Sequence, residues 1–520
     1  MNSITTVFLV VFLSVFEIAV AQDGTLDEAF GVHGSVFPTF GGYMSDLNAL
    51  KIDSDDKIIT AGGVFSQSGY YQFALVRYKP DGSLDETFGV GGKVISDFPR
   101  TTFLKTMLMQ SDGKLVVGAY NSEYSNGDYF RDSFLIRYNT DGTLDTGFGN
   151  DGIVIISSNT ILNTISLVQQ LDGKIVVYRY SNSGFQLIRY NPNGTLDSDF
   201  QTSDVLGNPY EGVLALQPDG KIILAGSIEV TNGSDNMIIR YNSNGTLDTT
   251  FGTNGEMRFN VDDNDQITSV KILPNGKMLF CGKSYHNESE YELSYTHTLL
   301  QVLPNGTFDP NFGKRGILIL PIASRSLQLQ SDGKIVLGGE RAFVDSHGFS
   351  LNQIGLVRCL SNGSFDTAFG NGGLVLIPND DLGGSSFGSL IGLQSDEKIV
   401  VGSVFCEAHF SCHPYTVLLR FNSEDVLINN EFQLPDNTFL VYPNPVKETL
   451  YFDFNSNQAE TLSIDLYDNS GRLISNLLKN QNFPTGNNSQ KLDLPLTLAE
   501  GVYFLTISNG TNTANIKIVK

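Results

Sequence analysis

The stretch Asp81–Gly92, DGSLDETFGVGG, decides the fold because close variants of it recur along the chain. Asp23–Gly34 reads DGTLDEAFGVHG, Asp141–Gly152 reads DGTLDTGFGNDG, and Asn244–Gly255 reads NGTLDTTFGTNG. A chain normally needs a catalytic motif once, whereas a motif that returns at a regular interval indicates a repeat architecture. We therefore interpret this stretch, called the connector motif below, as structural.

Two residues of the connector motif occur in all seven of its copies. The aspartates are Asp27, Asp85, Asp145, Asp197, Asp248, Asp309 and Asp366, and the phenylalanines are Phe30, Phe88, Phe148, Phe200, Phe251, Phe312 and Phe369. Successive phenylalanines lie 58, 60, 52, 51, 61 and 57 residues apart. This period is long enough for several strands in each repeat, and we expect the phenylalanine to fill the gap between neighbouring repeats.

An arginine precedes the connector motif at Arg77, Arg137, Arg189, Arg240 and Arg358, and Gln301 takes its place once. A charge among apolar neighbours is tolerated only when it is paired and hydrogen-bonded. We therefore expect the repeated aspartates and arginines to form structural pairs. A ring of metal sites is the alternative.

A second motif, called the hairpin motif below, indicates where the strands lie. It reads QSDGK at Gln110–Lys114 and lies between two runs rich in β-branched residues. Asp-Gly between such runs predicts a hairpin, because glycine adopts the positive φ of a tight turn. We expect four strands a repeat, with the connector motif between the fourth strand of one repeat and the first strand of the next.

Four short strands in each of seven repeats predict a seven-bladed β-propeller. A parallel β-helix is the alternative, but its coils are usually much shorter than this repeat. The chain has no Trp, so it lacks the WD-repeat signature. We expect Asp23–Gly34 to dock beside the strand that ends at Arg420 and so to close the ring.

The repeats resemble the delta-60 repeat of bacterial surface and secreted proteins over roughly residues 23–422. All seven copies keep Leu-Asp or Phe-Asp followed by the phenylalanine. The copy at Asn193, NGTLDSDFQTSD, has lost both later glycines, so we expect its connector to have a different shape. The resemblance implies a repeat fold and assigns no chemistry.

The first 22 residues, MNSITTVFLVVFLSVFEIAVAQ, predict a secretory signal peptide over residues 1–21. The apolar run is short, and Glu17 interrupts its end, which argues against a membrane anchor. No other segment has the length of a membrane span, so we expect no transmembrane segment in the mature chain. The net charge of −23 argues against a nucleic-acid partner, since phosphate binding needs a basic face.

The repeat pattern stops near Pro435, and residues 436–520 contain short runs of alternating apolar residues with Gly and Asn-Gly turns. Such runs predict a small β-sandwich. The predicted class is therefore all-β, a seven-bladed β-propeller followed by a small C-terminal β-sandwich. The predicted parts are the signal peptide over residues 1–21, the propeller over 22–425, a linker over 426–435 and the sandwich over 436–520.

The C-terminal end resembles the type A sorting domain of the type IX secretion system. The matching residues are Tyr442, Pro443, Asn444, Pro445, Gly471, Gly501, Tyr503, Lys517 and Lys520. The resemblance implies the type IX secretion machinery as a partner and a Gram-negative bacterium as the source. It also implies that the protein is secreted or reaches the outer-membrane surface and that the terminal domain is removed during passage.

Irregular loops on the face opposite the connector motifs are the candidate binding region, because rigid scaffolds usually carry binding residues on loops. Five tyrosines lie there among Asn, Ser and acidic residues: Tyr124, Tyr129, Tyr285, Tyr291 and Tyr295. Aromatic rings with nearby polar groups suit sugars and polar polymers. The alternative is that these residues form ordinary solvated loops.

The segment Cys406–His413, CEAHFSCH, is the only cysteine-rich part of the chain. We expect a disulfide between Cys406 and Cys412, because the leader predicts export to an oxidising compartment. A zinc site is the alternative, although the spacing matches no standard ligand pattern.

No catalytic, cofactor-binding or metal-binding residues emerge from the sequence. The predicted function is a non-enzymatic binding or adhesion scaffold, with a polysaccharide or another surface polymer as a possible partner. A propeller hydrolase or lyase acting on an extracellular polymer is the alternative, since the fold alone does not decide function.

Overall fold

The computed structural model describes residues 23–37, 44–65, 70–125, 128–130, 132–157, 162–181, 184–202, 210–231, 233–289, 292–344, 350–377, 384–407, 414–423, 432–434, 437–442, 446, 449–456, 459–468, 472–495, 498, 501–509 and 513–520. Over these residues the regular secondary structure is all strand, so no helix in this part could cross a membrane. The chain divides into two compact units, Ala21–Glu424 and a second unit that contains Asp425–Lys520. The predicted signal peptide lies outside the described residues.

The strands of the first unit follow one another in chain order. They are β1 (Ser35–Val36), β2 (Met44–Ile52), β3 (Ile58–Phe65), β4 (Tyr71–Tyr78), β5 (Lys93–Ile95), β6 (Thr101–Met109), β7 (Leu115–Ser125), β8 (Asp128–Phe130), β9 (Ser133–Tyr138), β10 (Ile153–Ser157), β11 (Leu162–Gln169), β12 (Ile175–Ser181), β13 (Gly184–Tyr190), β14 (Tyr210–Leu216), β15 (Ile222–Val230), β16 (Gly233–Tyr241), β17 (Glu256–Phe259), β18 (Asn264–Ile272), β19 (Met278–Ser289), β20 (Glu292–Val302), β21 (Ile317–Leu320), β22 (Ala323–Leu329), β23 (Ile335–Val344), β24 (Ser350–Cys359), β25 (Leu374–Leu376), β26 (Gly384–Leu393), β27 (Ile399–Glu407) and β28 (Tyr415–Phe421).

Antiparallel pairing groups these strands repeat by repeat. The groups are β2-β3-β4-β5, β6-β7-β9-β10, β11-β12-β13, β14-β15-β16-β17, β18-β19-β20-β21, β22-β23-β24-β25 and β26-β27-β28-β1. The first strand of each group contacts the first strand of the next, and β26 contacts β2. The first strands therefore form a closed ring, as in a β-propeller. We infer that each group is one blade. The blades are numbered one to seven, from the β2 group to the β26 group.

The connector motif lies inside a blade, so the expected position between blades is wrong. In the first blade β5 follows the motif and pairs with β4 of the same repeat, with Ala74 opposite Ile95. The motif folds back on the preceding strand because Asp85 N–H donates to the Arg77 carbonyl at 3.0 Å and Arg77 N–H donates to the Gly92 carbonyl at 3.0 Å. The connector motif is therefore the turn between the third and fourth strands.

Both repeated motifs therefore lie at one end of the blades. The hairpin motifs join first to second strands and the connector motifs join third to fourth strands, and together they form what we call the turn face. The second-to-third loops and the connections between blades emerge at the opposite end, which we call the loop face. The irregular loops identified in the sequence belong to this loop face.

The beginning of the described chain completes the seventh blade, as expected. Ser35 of β1 pairs with Leu419 of β28. Asp27 N–H donates to the Arg420 carbonyl at 2.8 Å, and Arg420 N–H donates to the Gly34 carbonyl at 3.1 Å. The ring is thus closed by backbone hydrogen bonds between the two ends of the repeat region.

The second unit is a two-sheet sandwich. Its strands are β29 (Phe432–Leu434), β30 (Asn437–Tyr442), β31 (Thr449–Ser456), β32 (Glu460–Asp468), β33 (Leu473–Phe483), β34 (Gly486–Asp493), β35 (Val502–Ser508) and β36 (Thr513–Val519). They pair in the orders β29-β30-β31-β34 and β33-β32-β35-β36. Phe452 of the first sheet and Ile464 and Leu505 of the second are fully buried in one apolar core.

Candidate functional site

The repeated aspartate is held by an ion-pair arrangement that we call the clasp. In the second blade, Arg137 Nε donates to Asp145 Oδ2 at 2.7 Å, and Lys114 Nζ donates to the same oxygen at 2.8 Å. The Arg137 guanidinium carbon lies 4.4 Å from the centre of the Phe148 ring. A further Arg137 nitrogen donates to the Pro192 carbonyl in the third blade. The clasp therefore neutralises the aspartate and joins two blades.

The same contacts recur around the ring. The arginine–aspartate pairs are Arg77–Asp85, Arg137–Asp145, Arg189–Asp197, Arg240–Asp248, Arg358–Asp366 and Arg420–Asp27. In each, the arginine also donates to a backbone carbonyl of the next blade, at Thr140, Pro192, Ser243, Pro304, Ser423 and Pro80 respectively. The lysine of the hairpin motif is a third member that the sequence analysis did not assign.

The fifth blade has an incomplete clasp. Gln301 stands in the arginine position and is buried. Asp309 keeps the lysine contact, with Lys277 Nζ 2.6 Å from Oδ2, and its other oxygen accepts the Asn311 N–H at 2.9 Å. The negative charge of Asp309 is thus neutralised by Lys277 alone, without an arginine.

Pairing sets the protonation of the clasp aspartates. Hydrogen bonds from Lys174 and Arg189 lower the pKa of Asp197 to about 2, although burial opposes the shift. Burial acts to raise the pKa of Asp85, but hydrogen bonds from Thr87 and Lys57 outweigh it, and the pKa falls well below its ordinary value. Among the described residues, no three His, Cys, Asp or Glu side chains group as metal ligands. The pairing therefore favours the ionised form of the Asp85 and Asp197 carboxylates on the turn face.

A cavity of about 620 Å³ on the loop face is the candidate functional site. It spans blades four to seven. Its polar and aromatic lining includes Glu211, Gln266, Thr268, Lys283, Tyr295, His297, Ser324, Arg325, Glu340, Asn352, Ser386 and Phe387. Pockets of this size with a few convergent polar groups are typical of ligand sites.

Bulges in the first strands place several of these side chains. The pairing register of β18 shifts between Ile267 and Ser269, and that of β22 shifts between Ser324 and Ser326. The residues at these shifts, Thr268 and Arg325, both line the cavity. Comparable shifts occur in the first strands of all seven described groups. Since a β-bulge redirects a side chain, the bulges supply polar residues at the cavity wall.

Glu340 is the most buried acid of the cavity, with 6% of its surface exposed. Its Oε1 accepts the Ser389 N–H, and its Oε2 lies 3.6 Å from Arg325 Nε. Burial raises the pKa of Glu340, although the Ser389 N–H and the Arg325 charge oppose the change. A second acid, Glu211, accepts a hydrogen bond from Gln266. The cavity therefore contains one buried acid whose pKa is raised and a second, exposed acid on β14.

Aromatic rings form another part of the cavity. Tyr295 is 51% exposed, and Phe387 is 48% exposed. The Tyr295 ring stacks on His297 at a centroid distance of 6.3 Å and lies 5.9 Å from the Tyr285 ring. Burial and the nearby Lys283 charge lower the pKa of His297, which favours the neutral imidazole. These rings provide flat apolar surfaces beside the polar groups.

The other predicted binding tyrosines have different positions. Tyr124 and Tyr129 lie opposite each other on β7 and β8 of the second blade, away from the blades that line the cavity. Tyr291 lies outside the described residues. Of the described tyrosines, Tyr285 and Tyr295 lie together in the fifth blade, whereas Tyr124 and Tyr129 lie in the second.

The cysteines divide into two kinds. Cys281 and Cys359 are buried free thiols, whereas Cys406 is disulfide-bonded. Cys412 lies outside the described residues, so the Cys406–Cys412 pairing stays a prediction.

The predicted sorting residues lie in the second unit where they are described. Tyr442 pairs with Tyr451 across β30 and β31, and Tyr503 is buried in the sandwich core. Gly501 and Lys520 exchange two backbone hydrogen bonds of 2.9 Å, and Lys517 pairs with Phe504. Pro443, Asn444, Pro445 and Gly471 lie outside the described residues.

Two family models match the chain. Residues 440–520 match the secretion system C-terminal sorting domain. Residues 54–88, 110–148, 170–200, 217–251 and 330–369 match a β-propeller family described as a domain of unknown function, DUF5122. The chain is a β-propeller repeat protein with a type IX secretion sorting domain. The expected propeller class and destination are thereby confirmed, because the sorting domain indicates secretion or attachment to the outer-membrane surface of a Gram-negative bacterium.

Solved structures resemble this propeller protein in fold only. Prolyl oligopeptidase B from Galerina marginata is 13% identical with a TM-score of 0.40, and the match covers 81% of this chain but 57% of that one. The GDP-Man-dependent mannosyltransferase MPT-1 from Leishmania mexicana is 12% identical with a TM-score of 0.30, and the match covers 75% of this chain and 88% of that one. No curated protein matches the sequence.

Sequence reasoning found one residue of the cavity, Tyr295, and missed most of the others. Glu340 lies in the middle of a strand, and Arg325 and Thr268 lie at bulges. None of the three belongs to a repeated motif, so the repeat pattern gave no signal for them. The one usable signal was departure from the repeat, which the long hairpin of β19 and β20 around Tyr295 displays.

Proposed function

We propose that this exported propeller is a non-enzymatic binding scaffold and that its loop-face cavity takes a segment of an extracellular polysaccharide. The observation that carries the proposal is the presence of exposed Tyr295 and Phe387 beside polar groups in one cavity of about 620 Å³. Sugar rings present apolar C–H faces that pack on aromatic rings, and their hydroxyls need hydrogen-bond partners. Asn352, Gln266 and Glu211 are suitable partners.

The export route supports a ligand outside the cell. A secretion sorting domain delivers the protein to the medium or to the cell surface, where polymers are abundant ligands. The clasps hold the blades together on the opposite face, so the cavity lies on a scaffold that does not depend on ligand for its assembly. A rigid scaffold with variable loops is a common basis for recognition.

The test is a glycan array probed with the purified protein, followed by titration of each glycan that binds. Tyr295→Ala should weaken binding at least tenfold, because it removes the most exposed ring of the cavity. Tyr70→Ala is the matched control, since Tyr70 is 45% exposed in the first blade and does not line the cavity. Equal affinity of the two variants, or no glycan bound by the unmodified protein, would overturn the proposal.

A second candidate is a polymer-cleaving enzyme, favoured by the two acids of the cavity. Burial raises the pKa of Glu340, and Glu211 lines the same cavity. Glycoside hydrolysis commonly uses one protonated and one ionised carboxyl group. Incubation of the bound glycans with the protein should then release shorter products, and Glu340→Gln should abolish the release. Intact glycans after prolonged incubation would exclude this candidate for those substrates.

A further inference from the structure

The ring of first strands carries an unusual pair of lysines, Lys51 on β2 and Lys271 on β18. Both occupy the same position of the repeat. Lys51 pairs with Ile59, and Lys271 pairs with Leu279. Each of these partners lies two residues after the lysine of its hairpin motif. The same register gives the equivalent residues of the other blades, which are uncharged: Leu108, Val168, Ala215, Gln328 and Gly392. The layer therefore holds two positive charges and no negative charge.

The two lysines belong to the first and fifth blades, which are not neighbours in the ring. Lys271 Nζ donates to Gln328 Oε1 of the sixth blade at 3.1 Å. This hydrogen bond directs the Lys271 side chain along the ring. Lys51 is accessible to solvent, and Lys271 is half-buried. An interaction between the two must therefore cross the central channel that the first strands enclose.

The acids of the first strands are engaged elsewhere. Asp46 accepts the Gly63 N–H, and Glu211 accepts from Gln266. Asp265 accepts the N–H groups of Val261 and Asp262 at 2.6 and 3.1 Å. All three lie nearer the loop-face ends of their strands, whereas the lysines lie next to the last residue before the turn face. The acids of these described strands therefore lie away from the lysine layer.

The electrostatics of the two lysines agree with a narrow channel. Burial and the charge of Lys271 lower the pKa of Lys51, even though its side chain has access to water. Burial also lowers the pKa of Lys271. A group can be reached by solvent and still be poorly solvated when protein surrounds it on most sides, as in a channel. Two like charges held this way repel each other, and a counter-ion between them would relieve the repulsion.

We propose that the central channel, near the turn face, binds a small anionic group between Lys51 and Lys271. The chemistry shared by suitable ligands is a compact oxyanion: phosphate, sulfate or carboxylate. Such a group would accept hydrogen bonds from both ammonium groups, and these bonds are stronger than neutral ones. This site is separate from the loop-face cavity, and it does not depend on the function proposed for that cavity.

The first experiment titrates the purified secreted protein with inorganic phosphate, sulfate and acetate at low ionic strength by calorimetry. We expect saturable binding of at least one of them, and the three arms identify the preferred chemistry. Lys51→Met and Lys271→Met should each weaken that binding at least tenfold, whereas Lys79→Met, at an exposed turn lysine, should leave it unchanged. Absence of binding at millimolar concentrations, or equal binding by all three variants, would overturn the proposal.

A second experiment needs no variant and so does not depend on their folding. Acetic anhydride modifies accessible lysines, and mass spectrometry reports the extent at each position. The bound anion should slow acetylation of Lys51 and Lys271 at least threefold and leave Lys79 unchanged. Equal slowing at all three lysines, or no slowing at any, would contradict a site in the channel.

Discussion

Carboxylates on the turn face and on the loop face of the propeller are held in different ways. On the turn face Asp145 is paired with Arg137 and Lys114, and its side chain is 12% exposed. On the loop face Glu340 is held by a backbone N–H and a more distant arginine, and it lines a cavity. Pairing lowers the pKa of Asp145, whereas burial raises the pKa of Glu340.

The two kinds of contact differ in how they join the blades. Each complete clasp uses a side chain from one blade and a carbonyl of the next, so its loss affects the ring as a whole. The loop-face acids also reach the next blade, but each does so through neutral donors, since Glu340 accepts from Ser389 N–H and Glu211 accepts from Gln266. Changes on the turn face should therefore lower the free energy of unfolding, and changes on the loop face should alter binding.

Deletion of Asp23–Gly34 is expected to have the largest effect. It removes Phe30, which is fully buried, and the partners of Arg420 and Arg358. Loss of a buried aromatic side chain and of two buried ion pairs should cost more than about 5 kcal/mol. Thermal unfolding followed by circular dichroism should show either no cooperative transition or a strongly lowered Tm. An unchanged Tm would contradict closure of the ring by this segment.

Asp145→Ala should lower the free energy of unfolding by about 3 to 5 kcal/mol, because it leaves Arg137 and Lys114 without their partner. The fifth blade offers the matched control. Asp309→Ala leaves Lys277 alone, and this lysine can reach solvent, so we expect about 1 to 2 kcal/mol. Urea unfolding of both variants gives the comparison. Equal losses would show that the arginine does not decide the strength of the clasp.

The clasp also shows what the sequence could and could not predict. The repeated aspartate, arginine and phenylalanine pointed to a structural pair, because a recurring charge inside an apolar repeat needs a partner. The sequence did not show that Lys114 shares the aspartate or that Arg137 reaches Pro192, since both contacts depend on how neighbouring strands and blades are placed. For the same reason the fourth strand was assigned to the wrong repeat.

The candidate site was predictable only in its location. Variable loops on one face indicated where the candidate cavity lies, and Tyr295, which lines it, was among the residues predicted. The polar wall was not predictable, because Thr268 and Arg325 owe their positions to bulges that leave no repeated residue in the sequence. Glu340 becomes notable only through its burial, which a sequence does not display.

Acidification should change the stability contributions of the carboxyl groups on the two faces in opposite directions. A carboxylate with a lowered pKa in the folded state stabilises the protein above its unfolded pKa, and this contribution is lost as the pH falls through the folded value. For Asp197 that window runs from an ordinary value of 3.8 down to about 2. The raised pKa of Glu340 has the opposite sign, so its protonation on acidification favours the folded state.

The measurement is the free energy of unfolding in urea at several pH values between 7 and 2.5. Asp197→Asn should flatten the decline below pH 4, because the variant has no carboxylate to protonate there. Glu340→Gln should leave that part of the curve as steep as in the unmodified protein. A decline that is the same in all three proteins would show that the clasp carboxylates do not govern acid stability.

Gln301→Arg should have the smallest effect and the opposite direction, a gain of about 1 kcal/mol in the free energy of unfolding. The introduced arginine would meet Asp309, the Phe312 ring and the turn of the sixth blade, as its equivalents do around the ring. Gln301→Lys is the control, since lysine brings the charge without the planar fork that contacts two partners at once. Stabilisation by arginine alone would show that the fifth blade lacks only this side chain. A loss of stability with arginine would mean instead that the gap between the fifth and sixth blades is built around the glutamine, and that the clasp is not interchangeable between repeats.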